Sequence, residues 1–216
     1  LYAEAARESS RVKLPDIRRG EYEGLANKLA DPNWQPDFGP SQFNPLFGVT
    51  ATGARPILIA YNVNLDTNDK TITNRIAGKL RTSGVLMKDE NGNKIIGGDG
   101  KPKRINGRFL ALQGAGWMYD DTTAQVSMNL LDYTVTGLHD VTEAIRELAA
   151  ESGHNTTAGE LVGLVPLRAI VDAGMHYHGG DGSEEDLIAA AIDGLQLAEL
   201  GDFIIEKRII EFAAGV

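Results

Sequence analysis

The chain has 216 residues, a formal net charge of −9 and no cysteine. The absence of cysteine excludes a disulfide framework, a thiolate zinc site and a cysteine nucleophile, and it predicts a reducing compartment, which we take to be the cytoplasm. The acidic balance disfavours nucleic-acid binding, and the longest apolar run, residues 56–61, is too short to cross a membrane.

Charge is unevenly distributed along the chain. Residues 70–108 contain 10 Lys and Arg against 3 Asp and Glu, so this stretch carries +7. A local basic zone suits a small polyanionic ligand such as a metabolite with several carboxylates. The alternative is a solvated helix and hairpin with no ligand.

The amino-terminal part predicts a helix followed by a connector. Residues 2–29 are polar and predict helix, whereas the density of Pro, Gly and Asp in residues 31–40 excludes regular structure. The chain starts at Leu1 without a cleavable signal sequence, so we expect its amino terminus to be missing. We divide the chain into residues 1–40, 41–180 and a helical tail, 181–216.

The middle of the chain alternates strands and helices. The expected elements are a strand (55–65), an amphipathic helix (66–84), a hairpin or long loop around Asn91 and Gly92 (85–107), two strands (108–119 and 123–130), a helix from Leu138 to Gly153, and a strand (156–162). This order predicts an α/β fold, a ferredoxin-like two-layer βαββαβ sandwich. Pro166 and Ser183 mark the starts of additional carboxy-terminal helices, the first ending at Gly174.

A stripe of amides is the most informative pattern. In a strand, Gln125, Ser127 and Asn129 share one face, and Asn62 and Asn64 share a face of the first strand. Amides both donate and accept hydrogen bonds, so together they predict a platform for a planar, polar ligand. The alternative is a face that only meets solvent.

Single charged residues add candidate contacts. Glu160 is the only charge in residues 156–166, and its carboxylate suits the N–H edge of a pterin or a cationic amidine. The alternatives are a salt bridge to Arg168 or an exposed turn. Arg55 and Arg168 are candidate clamps for ligand carboxylates. His176 and His178 fall in a predicted Gly-rich loop without metal-ligand spacing, so we predict no metal site.

Several segments together resemble glutamate formiminotransferase. They are residues 18–25, 34–55, 58–65, 125–130 and 160–166. The resemblance runs from about Ile17 to Gly174 and does not include residues 181–216.

This resemblance implies transfer of a formimino group from N-formimino-L-glutamate to tetrahydrofolate, in histidine degradation and one-carbon metabolism. It makes residues 1–40 the end of the amino-terminal subdomain with its connector and residues 41–180 the carboxy-terminal subdomain of a homodimer. It also places the family's catalytic histidine outside this chain, so we expect no catalytic residue here and an incomplete enzyme.

With tetrahydrofolate as co-substrate and no metal, we expect the small-molecule contacts to come from a set of polar side chains. They are Arg55, Asn62, Asn64, Gln125, Ser127, Asn129 and Glu160. The alternative function is a non-catalytic folate-binding or assembly subunit, with the chemistry on another polypeptide.

Overall fold

A computed structural model describes all residues, 1–216. The chain divides into two compact units, Leu1–Pro56 and Ile57–Val216. The domain limits expected at 40/41 and 180/181 stay predictions. None of the helices is both long enough and apolar enough to cross a membrane.

The first unit contains only short elements. They are strand β1 (Tyr2–Ala3), helices α1 (Leu14–Arg18) and α2 (Leu25–Ala30), and strand β2 (Gly53–Ala54), which pairs in parallel with β1. The helix predicted over residues 2–29 is therefore wrong. Gly20 separates α1 from α2 with a φ of +90°, a left-handed conformation that a helix cannot continue through. Within residues 31–40, the only regular element is a 3₁₀ turn, Pro32–Trp34, as expected of a connector.

The second unit is a mixed α/β structure. Its elements in chain order are β3 (Ile59–Leu65), α3 (Lys70–Leu80), β4 (Val85–Leu86), β5 (Arg104–Ile105), β6 (Leu112–Met118), β7 (Ala124–Leu130), α4 (Leu138–Ala150), β8 (Thr156–Val162), α5 (Leu167–His178), α6 (Glu184–Gly194), α7 (Ile205–Arg208) and α8 (Ile210–Ala214). The predicted hairpin in residues 85–107 is confirmed by the antiparallel pairing of β4 with β5.

Four strands form the main sheet in the order β6-β7-β3-β8, and every neighbouring pair is antiparallel. One face of this sheet is apolar because alternate residues of each strand, such as Tyr61, Val63 and Met128, point to the same side. Helices α3 and α4 cover that apolar face and bury side chains such as Ile76 and Ile145 against it. The opposite face carries the polar residues, and we call it the open face.

Helices α5 and α6 pack closely against each other beyond α4, and this contact corrects the end predicted for α5. A Cβ at Gly174 would lie 2.1 Å from the carbonyl oxygen of Leu187, so this glycine permits the close approach of α6 rather than ending its helix. The helix ends at Gly179, whose φ is +83°. His176 and His178 therefore lie in the last turn of α5, not in a loop. The cap predicted at Ser183 is confirmed, since its hydroxyl accepts from the backbone N–H of Asp186.

Side chains from outside the sheet bind the outer edge of β6. The guanidinium of Arg81 donates to the carbonyl of Gly114 at 3.1 Å, and the backbone N–H of Gly116 donates to Oδ1 of Asn74 at 3.3 Å. These bonds occupy backbone groups that an edge strand otherwise offers to another strand. These two backbone groups of the β6 edge are therefore not available to pair with another strand.

The outer edge of β8 is closed by residues from late in the chain. The backbone N–H of Gly159 donates to the carbonyl of Gln196 at 2.9 Å, and the guanidinium of Arg208 donates to the carbonyl of Leu161 at 2.6 Å. Both edges of the sheet are thus engaged by other segments of the chain.

Candidate functional site

The predicted site residues of the second unit meet on the open face. Asn62 of β3 lies directly opposite Ser127 of β7 and Glu160 of β8, and Asn64 lies opposite Gln125. Residues directly opposite each other in antiparallel strands share a face, so the predicted common face is confirmed.

Asn129 extends this face by one further row. It lies opposite Ala60 of β3 on one side and Gln113 of β6 on the other. The sheet therefore presents successive cross-strand rows of short polar and small side chains. Such rows are rigid because the ladder hydrogen bonds of the sheet fix the backbone beneath them.

Glu160 is held by an amide of the same face. The Nδ2 group of Asn62 donates to Oε2 of Glu160 at 2.8 Å. The salt bridge considered between Glu160 and Arg168 is not formed, because Arg168 pairs with Asp172 on α5 at 2.7 Å. Glu160 also borders a cavity of about 140 Å³ whose lining includes Arg208.

Two of the amides are buried with unmet hydrogen-bonding capacity. Asn64 is 2% exposed and Gln125 is 3% exposed. The Oδ1 atom of Asn64 and the Oε1 atom of Gln125 have no hydrogen-bond partner. Burying an acceptor without a donor costs about 1–3 kcal/mol, so each of these oxygens is an unfavourable feature of the fold.

The charge pattern of the open face is simple. Its positions on the four strands hold Asn and Gln amides, the Ser127 hydroxyl, alanine, valine and Trp117. Glu160 is the only ionisable side chain among them. No lysine or arginine belongs to these rows. The face itself can accept hydrogen bonds from N–H groups, and the nearest cations lie beside it: the Nζ atom of Lys70 is 5.3 Å from the Trp117 ring centroid, and Arg208 lines the cavity next to Glu160.

Arg55 is the one predicted site residue outside the second unit. It belongs to the first unit, follows β2, is exposed, and makes no hydrogen bond or ion pair. Its assignment to a ligand carboxylate stays a prediction.

Two of the four histidines lie away from the open face. His139 of α4 and His176 of α5 stack with ring centroids 4.8 Å apart, and both helices lie on the helix-covered side of the sheet. His154 follows α4, and its Nδ1 atom lies 3.2 Å from Oδ1 of Asp66. No group of three or more His, Asp or Glu side chains is arranged to hold a metal ion.

Trp117 is a residue of this face that the sequence pattern did not bring out. It lies on β6 directly opposite Gln125, and 61% of its surface is exposed. The signal was present in the alternation of β6, where Gln113, Ala115 and Trp117 fall on one face. Only the pairing register of β6 with β7 shows that this face of β6 is the same face of the sheet that carries the amides.

Comparison with known proteins places both units in one family. The formiminotransferase domain matches residues 60–214, and the N-terminal subdomain of the formiminotransferase domain matches residues 1–55. The match continues through the helical tail, so the expectation that residues 181–216 lie outside the resemblance is wrong.

Individual relatives agree with this assignment. The chain is 43% identical to formimidoyltransferase-cyclodeaminase of Mus musculus over 217 residues, which is 98% of the chain and 37% of the relative. Formimidoyltransferase-cyclodeaminase of Dictyostelium discoideum is 41% identical over 217 residues, again 98% of the chain and 37% of the relative. Glutamate formimidoyltransferase of Streptococcus pyogenes serotype M1 is 35% identical over 178 residues, 82% of the chain and 52% of the relative. The chain thus spans about a third to a half of the length of these relatives, and it belongs to the formiminotransferase family.

Proposed function

We propose that the protein containing this chain transfers a formimino group from N-formimino-L-glutamate to tetrahydrofolate, and that the chain supplies one wall of the folate groove. The observation that carries this proposal is the open face, with its row of amides around Glu160, in a chain whose relatives are named formimidoyltransferases. Tetrahydrofolate acts as the co-substrate, without a metal.

The transfer requires an attack on the formimino carbon. The N5 atom of tetrahydrofolate forms a bond to this carbon, the bond from the carbon to the glutamate nitrogen breaks, and the N5 proton ends on the departing amine of glutamate. The protein must orient two anionic substrates and stabilise the tetrahedral intermediate. We assign orientation to Asn62, Asn64, Gln125, Ser127 and Asn129.

Two charged residues have separate roles in this proposal. Glu160 offsets the positive charge of the formimino amidine, and its bond to Asn62 holds the carboxylate in place. Arg55, in the first unit, binds a ligand carboxylate through its guanidinium.

We assign the general base to a part of the protein outside residues 1–216. This assignment is supported by the positions of His139 and His176, which the sheet separates from the open face, and by the engagement of His154 with Asp66. We therefore expect residues 1–216 alone to show no turnover.

We infer that the second unit is a ferredoxin-like two-layer βαββαβ sandwich with additional carboxy-terminal helices. The order β6-β7-β3-β8, the antiparallel pairs and the two helices on one face support this class. We also propose a homodimer, tested by light scattering of the complete protein, and a cytoplasmic location, which the lack of cysteine supports.

The deciding experiment is a transfer assay with the complete protein. Tetrahydrofolate and N-formimino-L-glutamate should yield 5-formiminotetrahydrofolate and one equivalent of glutamate, whereas N-formyl-L-glutamate serves as the control donor. Folate binding without any transfer would contradict the enzyme and support the non-catalytic subunit.

A further inference from the structure

We propose that Asn91 is a site of spontaneous deamidation in the folded protein, where water converts the amide to aspartate and isoaspartate through a succinimide, whereas the second Asn-Gly pair, Asn106 and Gly107, is protected. Glycine follows both asparagines, so the sequence alone does not distinguish them. The two pairs have different surroundings in the structure. This inference does not depend on the proposed function.

The surroundings of Asn91 are open. It lies in the segment that joins β4 to β5, and every residue from 88 to 94 is exposed. The carboxamide of Asn91 makes no hydrogen bond within the protein. A Cβ at Gly92 would meet no atom within 4 Å. No neighbouring segment therefore hinders the approach of the Gly92 nitrogen to the Cγ atom of Asn91.

Few interactions hold the turn closed around this pair. The backbone N–H of Gly92 donates to the carbonyl of Asp89, and that of Asp89 donates to the carbonyl of Asn93, each at 2.9 Å. Lys88 and Lys94 lie directly opposite each other, and like charges in this position destabilise an antiparallel pair. Exposed backbone hydrogen bonds without buried apolar contacts open at low cost, which releases the Gly92 nitrogen.

The reaction needs water as its only co-reactant. The backbone nitrogen of Gly92 loses its proton and forms a bond to Cγ of Asn91, the bond from Cγ to the side-chain nitrogen breaks, and that nitrogen leaves with a proton as ammonia. Water then breaks the bond from the ring nitrogen to Cγ, which gives aspartate, or the bond to the backbone carbonyl carbon, which gives isoaspartate. The two neighbouring lysines favour the anionic nitrogen that attacks, because positive charge stabilises a nearby anion.

The second pair is fixed on both sides. Asn106 follows β5 directly, and the backbone N–H of Arg108 donates to the carbonyl of Lys79 at 2.8 Å. A Cβ at Gly107 would lie 2.0 Å from the carbonyl oxygen of Arg81, so the backbone of Gly107 packs against the end of α3. Ring closure requires rotation of the peptide between Asn106 and Gly107, and these contacts prevent it while the protein is folded.

Conversion changes both the charge and the backbone of this segment. Aspartate at position 91 reduces the charge of residues 70–108 from +7 to +6. Isoaspartate also adds a carbon atom to the backbone, which disturbs the pairing of Lys88 with Lys94. The modification thus acts on the basic stretch and not on the main sheet.

The test is a time course of the complete folded protein at mildly alkaline pH, read by peptide mapping with mass spectrometry. Asn91 should convert to aspartate and isoaspartate while Asn106 keeps its amide. An isoaspartyl methyltransferase, which labels isoaspartate, should label only the peptide that contains position 91. In a second sample, unfolded in guanidinium chloride, both asparagines should convert at comparable rates, because each then has an accessible glycine nitrogen.

Two glycine variants test the route. Gly92→Ala places a methyl group beside the attacking nitrogen and should slow conversion of Asn91 several-fold. The matched control is Gly98→Ala, in the same segment, where a Cβ would also meet no atom within 4 Å but no asparagine precedes it. It should leave the rate unchanged. An unchanged rate in Gly92→Ala would exclude the succinimide.

Two results in the unchanged protein would overturn the proposal. If Asn91 keeps its amide until the protein unfolds, the hydrogen bond from Gly92 to Asp89 protects the turn. If Asn106 converts as fast as Asn91 in the folded protein, packing against α3 gives no protection. None of these measurements uses the transfer reaction, so their outcome leaves the proposed function to its own assay.

Discussion

The polar side chains of the open face differ in whether they have hydrogen-bond partners within the protein. Asn62 and Glu160 bond to each other, whereas the oxygens of Asn64 and Gln125 have no partner. The first pair is preorganised without ligand. The oxygens of the second pair are buried without a donor, which costs free energy in the folded state.

Asn129 provides a test of the amide face. Asn129→Ala removes an amide from the row next to Ser127 and should weaken folate binding by about 1–3 kcal/mol without lowering the melting temperature. The control is Asn91→Ala, which removes an exposed amide from the turn of the β4–β5 hairpin and should leave affinity unchanged. A fall in melting temperature with unchanged affinity would make Asn129 a structural residue.

Asp66 should make the protein sensitive to acid. The backbone N–H of Asn155, its side-chain amide and His154 bind this carboxylate, and these bonds lower the pKa of Asp66 below its usual 3.8. A lowered folded-state pKa means that ionised Asp66 stabilises the fold fully above about pH 4 and loses this effect as pH falls through the folded pKa.

We therefore expect Asp66→Asn to lower the melting temperature near neutral pH, with a gap to the unchanged protein that closes below about pH 4. Melting curves across this range measure the gap. Asp121→Asn, at an exposed turn aspartate that makes no side-chain hydrogen bond, is the control and should show no gap. A gap that is constant with pH would exclude the carboxylate charge as the cause.

At the level of elements, two glycines determine how closely the sheet edges are covered. A Cβ at Gly116 would lie 2.4 Å from the backbone nitrogen of Asn74 on α3, and a Cβ at Gly159 would lie 2.1 Å from the carbonyl oxygen of Leu195. Backbone atoms cannot move away as a flexible side chain can. Both strands therefore require glycine at the point where another segment crosses them.

Gly116→Ala should destabilise the protein by about 1–3 kcal/mol, since α3 must shift away from β6. Gly114→Ala is the matched control on the same strand, because its nearest neighbours would be 3.4 Å away. It should change the free energy of unfolding by less than about 0.5 kcal/mol. Equal effects of the two substitutions would mean that strand propensity, not the contact with α3, decides the result.

For the whole molecule, local periodicity predicted most of the second unit. The alternation in β3 and β7 and the capping residue Ser183 are local signals, and the structure confirms the elements they predict. The helix end predicted at Gly174 is wrong because the role of this glycine depends on the backbone of Leu187, which no local pattern encodes. The edge contact between Leu161 and Arg208 joins residues 47 apart in the sequence, so no local sequence pattern predicts it either.

The candidate site shows the same limit. Alternation within β7 predicted that Gln125, Ser127 and Asn129 share a face, and it needed only the period of a strand. The exposure of Trp117 and the unmet oxygen of Gln125 depend on the register between strands and on what surrounds them. Sequence alone therefore predicted which residues share the face but not which of them lack partners.

The basic stretch of residues 70–108 offers a test at the molecular scale. Lys101 and Lys103 are exposed in the segment that joins β4 to β5. Arg104 instead donates to the carbonyl of Gly84 and so has a structural role. If the stretch steers anionic folate, association should slow as salt shortens the Debye length below about 8 Å. Lys101→Gln with Lys103→Gln should flatten that salt dependence.

The control replaces two exposed lysines outside the stretch, Lys13→Gln with Lys207→Gln, and removes the same charge. Stopped-flow association rates at several salt concentrations give the slopes. If both double variants flatten the slope equally, net charge rather than the basic stretch governs association, and the stretch is only a solvated hairpin.

The late closure of the β8 edge has a consequence during synthesis. Leu161 leaves the ribosome 47 residues before Arg208, which at about 5–20 residues per second is a delay of about 2–9 s. Until then the carbonyl of Leu161 on the β8 edge has no partner and is competent to pair with a neighbouring nascent chain on the same polysome, whereas Gly159 is covered earlier by Gln196. We expect slow translation between these two codons to increase co-translational aggregation, and chaperone demand to be highest in that interval.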